Sequence, residues 1–300
     1  MSFSSRLKAE LCAAPQGKMC CVTAELYGVF LMGQTWNAEL LRVVTTHPDL
    51  PARLRALMLR RLGFEFDEAG GHGGRSLVIH DAKKLDAVFG AFGLERIAGQ
   101  SIHLNHAALE DNCCRSAFCR GVFLSGGSMT DPEKKYHLEI LTPHRHLTRE
   151  LIPVLHEYGF EPKQTSRGGV YGLIFQSSES IEDFLTFMGA PLASLELMQI
   201  KQMKEVRNNV NRQVNCETRN FVRTLDAAAR QIDGFGRLRR SREWDGLPEP
   251  LKAAALARLE APDASLSELA ETLGIGRSAL NHRFRKLEAL NGVCSPSRPH

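Results

Sequence analysis

Residues 113–128 read Cys113-Cys114-Arg115-Ser116-Ala117-Phe118-Cys119-Arg120-Gly121-Val122-Phe123-Leu124-Ser125-Gly126-Gly127-Ser128. Residues 20–34 read Cys20-Cys21-Val22-Thr23-Ala24-Glu25-Leu26-Tyr27-Gly28-Val29-Phe30-Leu31-Met32-Gly33-Gln34. The paired cysteines and the Gly-Val-Phe-Leu run recur at an offset of 93 residues. Each copy is an apolar helical stretch with one central glycine, where a second helix can approach closely. The repeat extends outward from both copies. Glu39 to Thr46 and Tyr136 to Thr142 read as strands. Pro51 to Leu62 and Leu147 to Tyr158 have helical periodicity and end at Gly63-Phe64-Glu65 and Gly159-Phe160-Glu161. Gly73-Gly74 and Gly168-Gly169 precede the apolar runs Leu77–Ile79 and Leu173–Phe175, and helices follow at Lys84–Phe92 and Ile181–Met188. The order of elements predicts two duplicated α+β halves of αββαβα type, at about 20–95 and 113–190. Gly93 to Asn105 is the connector.

The two central helices resemble the LAGLIDADG helices of homing endonucleases. In that family an acid ends each motif and holds a metal ion. Here those positions are Gly33 and Gly126, which offer no ligand, so no catalytic residue is expected. Glu25 and Glu39 do not occupy the symmetric position. Asp131 and Glu133 have no counterpart in the other half. Gly28 and Gly121 retain the residue type that close helix packing requires.

Composition narrows the function classes. Hydrophobic residues make up 43% of the 300 and charged residues 24%, a globular balance. Met1 to Ala14 lacks the apolar centre of a signal peptide and reads as a short amphipathic helix with Leu7 and Leu11 inward, so a cytoplasmic location with no membrane association is expected. The eight cysteines do not read as a secreted disulfide framework. Adjacent pairs lack zinc-ligand spacing, and Cys114 with Cys119 has no second ligand pair, so no metal is expected and the cysteines read as small hydrophobes. Gly70 to Gly74 lacks the Lys-Ser/Thr of a phosphate loop and reads as a hairpin tip, so no cofactor is expected either. Charge is uneven: residues 201–242 hold 11 Lys+Arg against 4 Asp+Glu, whereas residues 1–193 hold 20 against 21. A basic segment on a neutral body fits either a polyanion partner or a solvated charged helix.

Leu195 to Ile232 has a long helical pattern whose polar centre contains Arg207, Asn208, Asn211 and Arg212; Gly234 and Gly236 are expected to break it. Residues 264–290 then read as a helix-turn-helix. Ser265 and Glu268 form a capping box. Leu266, Leu269, Ala270 and Leu273 make the first apolar face, Gly274 the turn, Ile275 the corner, and Leu280 and Phe284 the buried side of the second helix. Leu251 to Leu259 would complete a trihelical bundle. Arg277, Ser278, Asn281, His282 and Arg285 fall on one face of the second helix at 3.6 residues per turn. Arginine can take guanine O6 and N7, and asparagine adenine N6 and N7. Arg283 and Lys286 are placed for phosphates. The alternative is a sigma-like helical module that binds protein; the basic segment upstream favours double-stranded DNA.

Nearly the whole chain resembles the WhiA family. The resemblance rests on Ser2-Phe3, the two degenerate motifs, Phe123 to Ser128, Asp131-Pro132-Glu133-Lys134, Tyr136-His137-Leu138-Glu139, Arg207-Asn208-Asn209-Val210-Asn211-Arg212 and Asn281-His282-Arg283. It implies a LAGLIDADG-like domain joined to an all-α helix-turn-helix domain. It further implies a nucleoid-associated transcription regulator acting in cell division, chromosome segregation and, in sporulating relatives, sporulation. Implied partners are promoter DNA and RNA polymerase, a sigma factor or a WhiB-like regulator. The expected organisation is an N-terminal helix at 1–19, the duplicated domain at 20–192, a basic helix and linker at 193–245, the helix-turn-helix at 246–292 and a tail at 293–300. The N-terminal domain is expected to tune DNA reading, either as a sheet saddle assisted by Lys134, Lys135, Arg145 and Arg167, through a protein contact, or by masking the C-terminal domain. An active endonuclease and a ligand-sensing regulator are the competing classes.

Overall fold

The computed structural model describes residues 1–70, 75–109, 111–290 and 292. It separates into two compact units, Met1–Glu205 and Val206–His300.

In the first unit, helix α1 (Phe3–Ala13) is capped by the Ser2 hydroxyl and buries Phe3, Leu7 and Leu11. Next come α2 (Met19–Leu31), β1 (Thr35–Trp36), β2 (Leu41–Thr45), α3 (Leu50–Leu62), β3 (Glu68–Gly70), β4 (Arg75–Ile79) and α4 (Ala82–Ala91). After the connector and a 3₁₀ turn at His106–Leu109 the order repeats: α5 (Asn112–Gly126), β5 (Gly127–Met129), β6 (Leu138–Thr142), α6 (Arg145–Glu157), β7 (Lys163–Arg167), β8 (Val170–Phe175) and α7 (Ser178–Met188). Each half folds its strands into an antiparallel sheet, in the order β1-β2-β4-β3 and β5-β6-β8-β7. Strand β2 buries Leu41, Val43 and Thr45, and β6 buries Leu138, Ile140 and Thr142, so each sheet has one face on the core and one outward.

The halves are therefore αββαββα rather than αββαβα. The additional strands are β3 and β7, which pair with β4 and β8 at the sheet edges. Strand β3 is exposed throughout, and β7 carries Lys163, Gln164, Thr165, Ser166 and Arg167. Polar edge strands lack the apolar alternation from which a strand is read. Their pairing comes from the neighbouring strand's free edge.

Helix α8 (Pro191–Arg239) runs through both units. Its first turns bury Ala193 and Leu197 in the first core. Lys201 pairs with Glu179, and Lys204 donates to the Pro132 carbonyl, so the first unit reaches Glu205 rather than ending at 192. The helix also continues through Gly234 and Gly236. A glycine inside a helix costs only about 1 kcal/mol, and Phe235 and Leu238, both buried in the second core, hold that turn in place. The second unit completes with α9 (Glu249–Glu260), α10 (Leu266–Thr272) and α11 (Arg277–Leu290). It is thus a bundle of three helices closed by the last turns of α8, not a trihelical unit beginning at 246. Among the described residues no helix is long and apolar enough to cross a membrane. The expected tail at 293–300 and the tip of the Gly70–Gly74 hairpin beyond residue 70 lie outside the described residues.

Candidate nucleic-acid interface and the former acid positions

Helices α2 and α5 cross at their glycines. A Cβ on Gly28 would lie 2.4 Å from the Phe118 carbonyl oxygen, and one on Gly121 would lie 2.1 Å from that of Glu25. The two backbones touch, and no side chain fits between them.

The C-terminal ends of these helices carry Gly33 and Gly126. A Cβ at Gly33 would meet the Arg42 carbonyl oxygen at 2.9 Å; one at Gly126 would meet that of Leu141 at 2.5 Å. Strands β2 and β6, the second of each half, press their carbonyls on these two positions. Glu25 is buried elsewhere on α2. The Arg53 guanidinium grips it in a bidentate pair through Nε and Nη2, the latter at 2.9 Å, and Arg120 reaches it at 3.3 Å. Arg53 also donates to the carbonyls of Cys12 and Ala14, and Arg120 to that of Met188. Asp131 accepts the Glu133 N–H and is committed to its own turn. Glu39 lines a cleft of about 440 Å³ beside Gln34, Trp36, His144 and His146. His144 donates to the Gly33 carbonyl at 3.3 Å. Burial holds its imidazole below the ordinary value, against the raising effect of that bond. No group of three His, Cys or carboxylate ligands gathers at Gly33 and Gly126 among the described residues. Such a group does form at the opposite ends of α2 and α5, where Cys20, Asp111, Cys113 and Cys114 lie within 4.8 Å of one another. Spacing within either segment could not show this, because the ligands come from two segments.

The helix-turn-helix follows the sequence closely. Ser265 accepts from the Glu268 N–H at 3.2 Å, and the Glu268 carboxylate accepts from the Ser265 N–H at 2.7 Å. Gly274 adopts φ +64°, a conformation that glycine takes without a Cβ clash. Leu269, Ala270, Leu280 and Phe284 are buried, with Leu266, Leu273 and Ile275 packed against them. No local pattern in the sequence marks Arg258. Its guanidinium is 3% exposed, lies over the Phe284 ring, and donates to Gln231 Oε1 and to the carbonyls of Pro262 and Ala264. Gln231, on α8, in turn donates to Glu288 on α11. These bonds fix the α9–α10 turn and tie α8 to α11. A buried arginine is visible only once its carbonyl partners are placed.

Arg277, Ser278, Asn281, His282, Arg285 and Lys286 are all exposed on α11. Arg283 is half-buried and donates to the Pro250 carbonyl at 3.4 Å, on the side facing α9. It therefore braces the bundle instead of standing beside the others. Arg207, Asn208, Asn211 and Arg212 are exposed on α8. In the first unit Lys134, Lys135, Arg145 and Arg167 are exposed as well.

Comparison with known proteins agrees with both parts. The family model described as the WhiA LAGLIDADG-like domain matches residues 115–207, and that described as the WhiA C-terminal HTH domain matches residues 210–291. The chain is 37% identical to the probable cell division protein WhiA of Ruminiclostridium cellulolyticum, over 97% of each chain. It is 34% identical to the protein of the same name from Alkaliphilus metalliredigens, again over 97% of each. The crystal structure of full-length WhiA from Thermatoga maritima superposes with a TM-score of 0.61 at 24% identity, covering 99% of this chain and all of that one. An isolated N-terminal LAGLIDADG domain of WhiA matches with a TM-score of 0.51 at 22% identity, covering 63% of this chain and 92% of its own. The duplicated helix pair, the glycine-capped motifs and the helix-turn-helix all lie within these matches, and the chain belongs to the WhiA family.

Proposed function

We propose that this protein is a sequence-specific DNA-binding transcription regulator with a role in cell division and chromosome segregation, and in sporulation where the host sporulates. Base reading is assigned to the exposed face of α11, where Arg277, Ser278, Asn281, His282 and Arg285 stand together on the second helix of a helix-turn-helix. This arrangement carries the reading. Arg277 and Asn281 have the donors for guanine and adenine edges in the major groove. Lys286 is assigned to phosphate, and Arg207, Asn208, Asn211 and Arg212, exposed on α8, are accessory basic and polar contacts. The first unit acts without catalysis and tunes the binding. Its former acid positions are glycines pressed on strand carbonyls, which leaves no carboxylate to hold a metal and activate water. The location proposed is the cytoplasm, on the nucleoid. RNA polymerase, a sigma factor or a WhiB-like regulator is the protein partner at promoters.

The test is footprinting of the full chain on its own genomic DNA with Mg²⁺ present. Discrete protection without strand cleavage is expected. Replacing Arg277 and Asn281 with Ala should cost about 1–3 kcal/mol per lost base contact and remove site preference, with non-specific binding retained. Unchanged protection by the double variant would overturn the assignment of α11. Mg²⁺-dependent cutting would overturn the non-catalytic first unit.

A further inference from the structure

The cysteines in the two copies of the motif do not behave alike. Cys21, Cys114 and Cys119 are buried, as small hydrophobes are. Cys113 is exposed and Cys20 only half-buried, which packing does not explain. Cys20 lies in the first turn of α2 and Cys113 in the first turn of α5, and their Sγ atoms stand 4.0 Å apart. The Sγ of Cys114 and the carboxylate of Asp111 complete a set of four donor atoms within 4.8 Å of one another. Asp111 is the N-cap residue of α5, yet its side chain makes no capping bond.

We propose that Cys20, Cys113, Cys114 and Asp111 form a binding site for a thiophilic divalent cation, zinc above all, which clips the N-terminal ends of α2 and α5 together. The geometry favours an ion over a disulfide. Tetrahedral coordination at a Zn–S distance of about 2.3 Å places two sulfurs roughly 3.8 Å apart, close to the observed 4.0 Å. A disulfide would need them at about 2.05 Å. Three sulfurs and one oxygen are a zinc-type donor set, whereas calcium and magnesium require oxygens. Three thiolates and a carboxylate around a divalent ion leave the site net negative. Two helix N-termini converge there, and their positive ends favour that charge. A cleft of about 410 Å³, lined by Cys20, Thr23, Asn105, Asp111 and Cys114 among others, gives the ion a path from solvent. The four ligands come from both halves of the duplication, so the ion would lock the helix pair on which the first unit is built.

The experiment is Co²⁺ titration of the full chain, reduced and stripped of metal by chelator. One equivalent should produce thiolate-to-cobalt charge-transfer absorption with tetrahedral visible bands, and Zn²⁺ should bleach both. The Cys20→Ser/Cys113→Ser variant should lose the absorption, while Cys216→Ser/Cys294→Ser should keep it. Asp111→Ala changes one exposed side chain, so its folding is not in question. It should keep thiolate absorption but require at least about tenfold more Co²⁺ for saturation. Absence of the absorption in the unaltered chain would overturn the proposal, as would its persistence in Cys20→Ser/Cys113→Ser or an unchanged titration in Asp111→Ala. Formation of a Cys20–Cys113 disulfide by a chain that takes up no Co²⁺ would also overturn it.

Discussion

At the scale of single residues, the first unit depends on what is missing at Gly121 and what is buried at Glu25. The Gly121→Ala substitution places a methyl 2.1 Å from the Glu25 carbonyl oxygen, against backbone that cannot turn aside. Overpacking of this kind costs about 1–3 kcal/mol or more. In denaturant unfolding, the transition of the first unit should show a lower midpoint with an unchanged slope. Glu25 is the only anion facing the Arg53 and Arg120 guanidiniums in this buried network among the described residues. Glu25→Gln leaves two cations without their counter-charge and should destabilise by roughly 3–5 kcal/mol, the usual penalty for breaking a buried pair. The same measurement checks it. The position 93 residues on is Phe118, so the ionic hub belongs to one half only. Duplication preserved the glycines, which the helix crossing needs twice, and left the residues around them to diverge.

At the scale of elements, the junction of β4 and α4 rests on Asp67. Its carboxylate accepts the N–H groups of His80 and Asp81, each at 2.8 Å, and the Lys84 ammonium at 2.5 Å. Burial would raise this carboxyl, but the Lys84 bond and the two backbone bonds outweigh it and hold the pKa at about 2. An acid depressed in the folded state is proton-free there while the unfolded chain still takes up a proton. The stabilisation is therefore complete above the ordinary carboxyl value of about 4 and is lost as pH falls through about 2. Asp67→Asn should lower stability at neutral pH and flatten the acid limb of the stability profile between about pH 4 and pH 2. Urea unfolding across that range measures both. In the second unit, Arg258 does by hydrogen bonds what Asp67 does in the first: it fixes the turn between two elements through backbone carbonyls.

At the scale of the whole molecule, two separate cores share one helix. The first gathers around α2 and α5, and the second around Phe235, Leu280 and Phe284. Each has its own packed set of aromatic and aliphatic side chains, so each should unfold as a cooperative unit. Calorimetry of the full chain should resolve two transitions, and Glu25→Gln should move only one of them. A single transition shifted as a whole would show that α8 couples the units energetically. The basic α11 face lies in one unit and the glycine-crossed α2–α5 pair in the other.

The sequence by itself determined the duplication, the helix pair with its glycines, the glycines Gly33 and Gly126 at the ends of both motifs, the helix-turn-helix with its Ser265–Glu268 cap and Gly274 turn, and the residues on the outer face of α11. These are local or periodic signals, legible because backbone propensity and side-chain spacing act over a few residues. Only the tertiary structure decided the rest. The edge strands β3 and β7 pair through a neighbour's hydrogen-bonding edge and carry no pattern of their own. Helix α8 survives Gly234 and Gly236 because a distant core buries Phe235 and Leu238. Arg258, Arg283 and Glu25 take their roles from partners that only folding brings near. The strand carbonyls pressed on Gly33 and Gly126, and the gathering of Cys20 with Asp111, Cys113 and Cys114, belong to the same class. Such contacts join segments far apart in the chain, and no spacing along one segment encodes the distance between two.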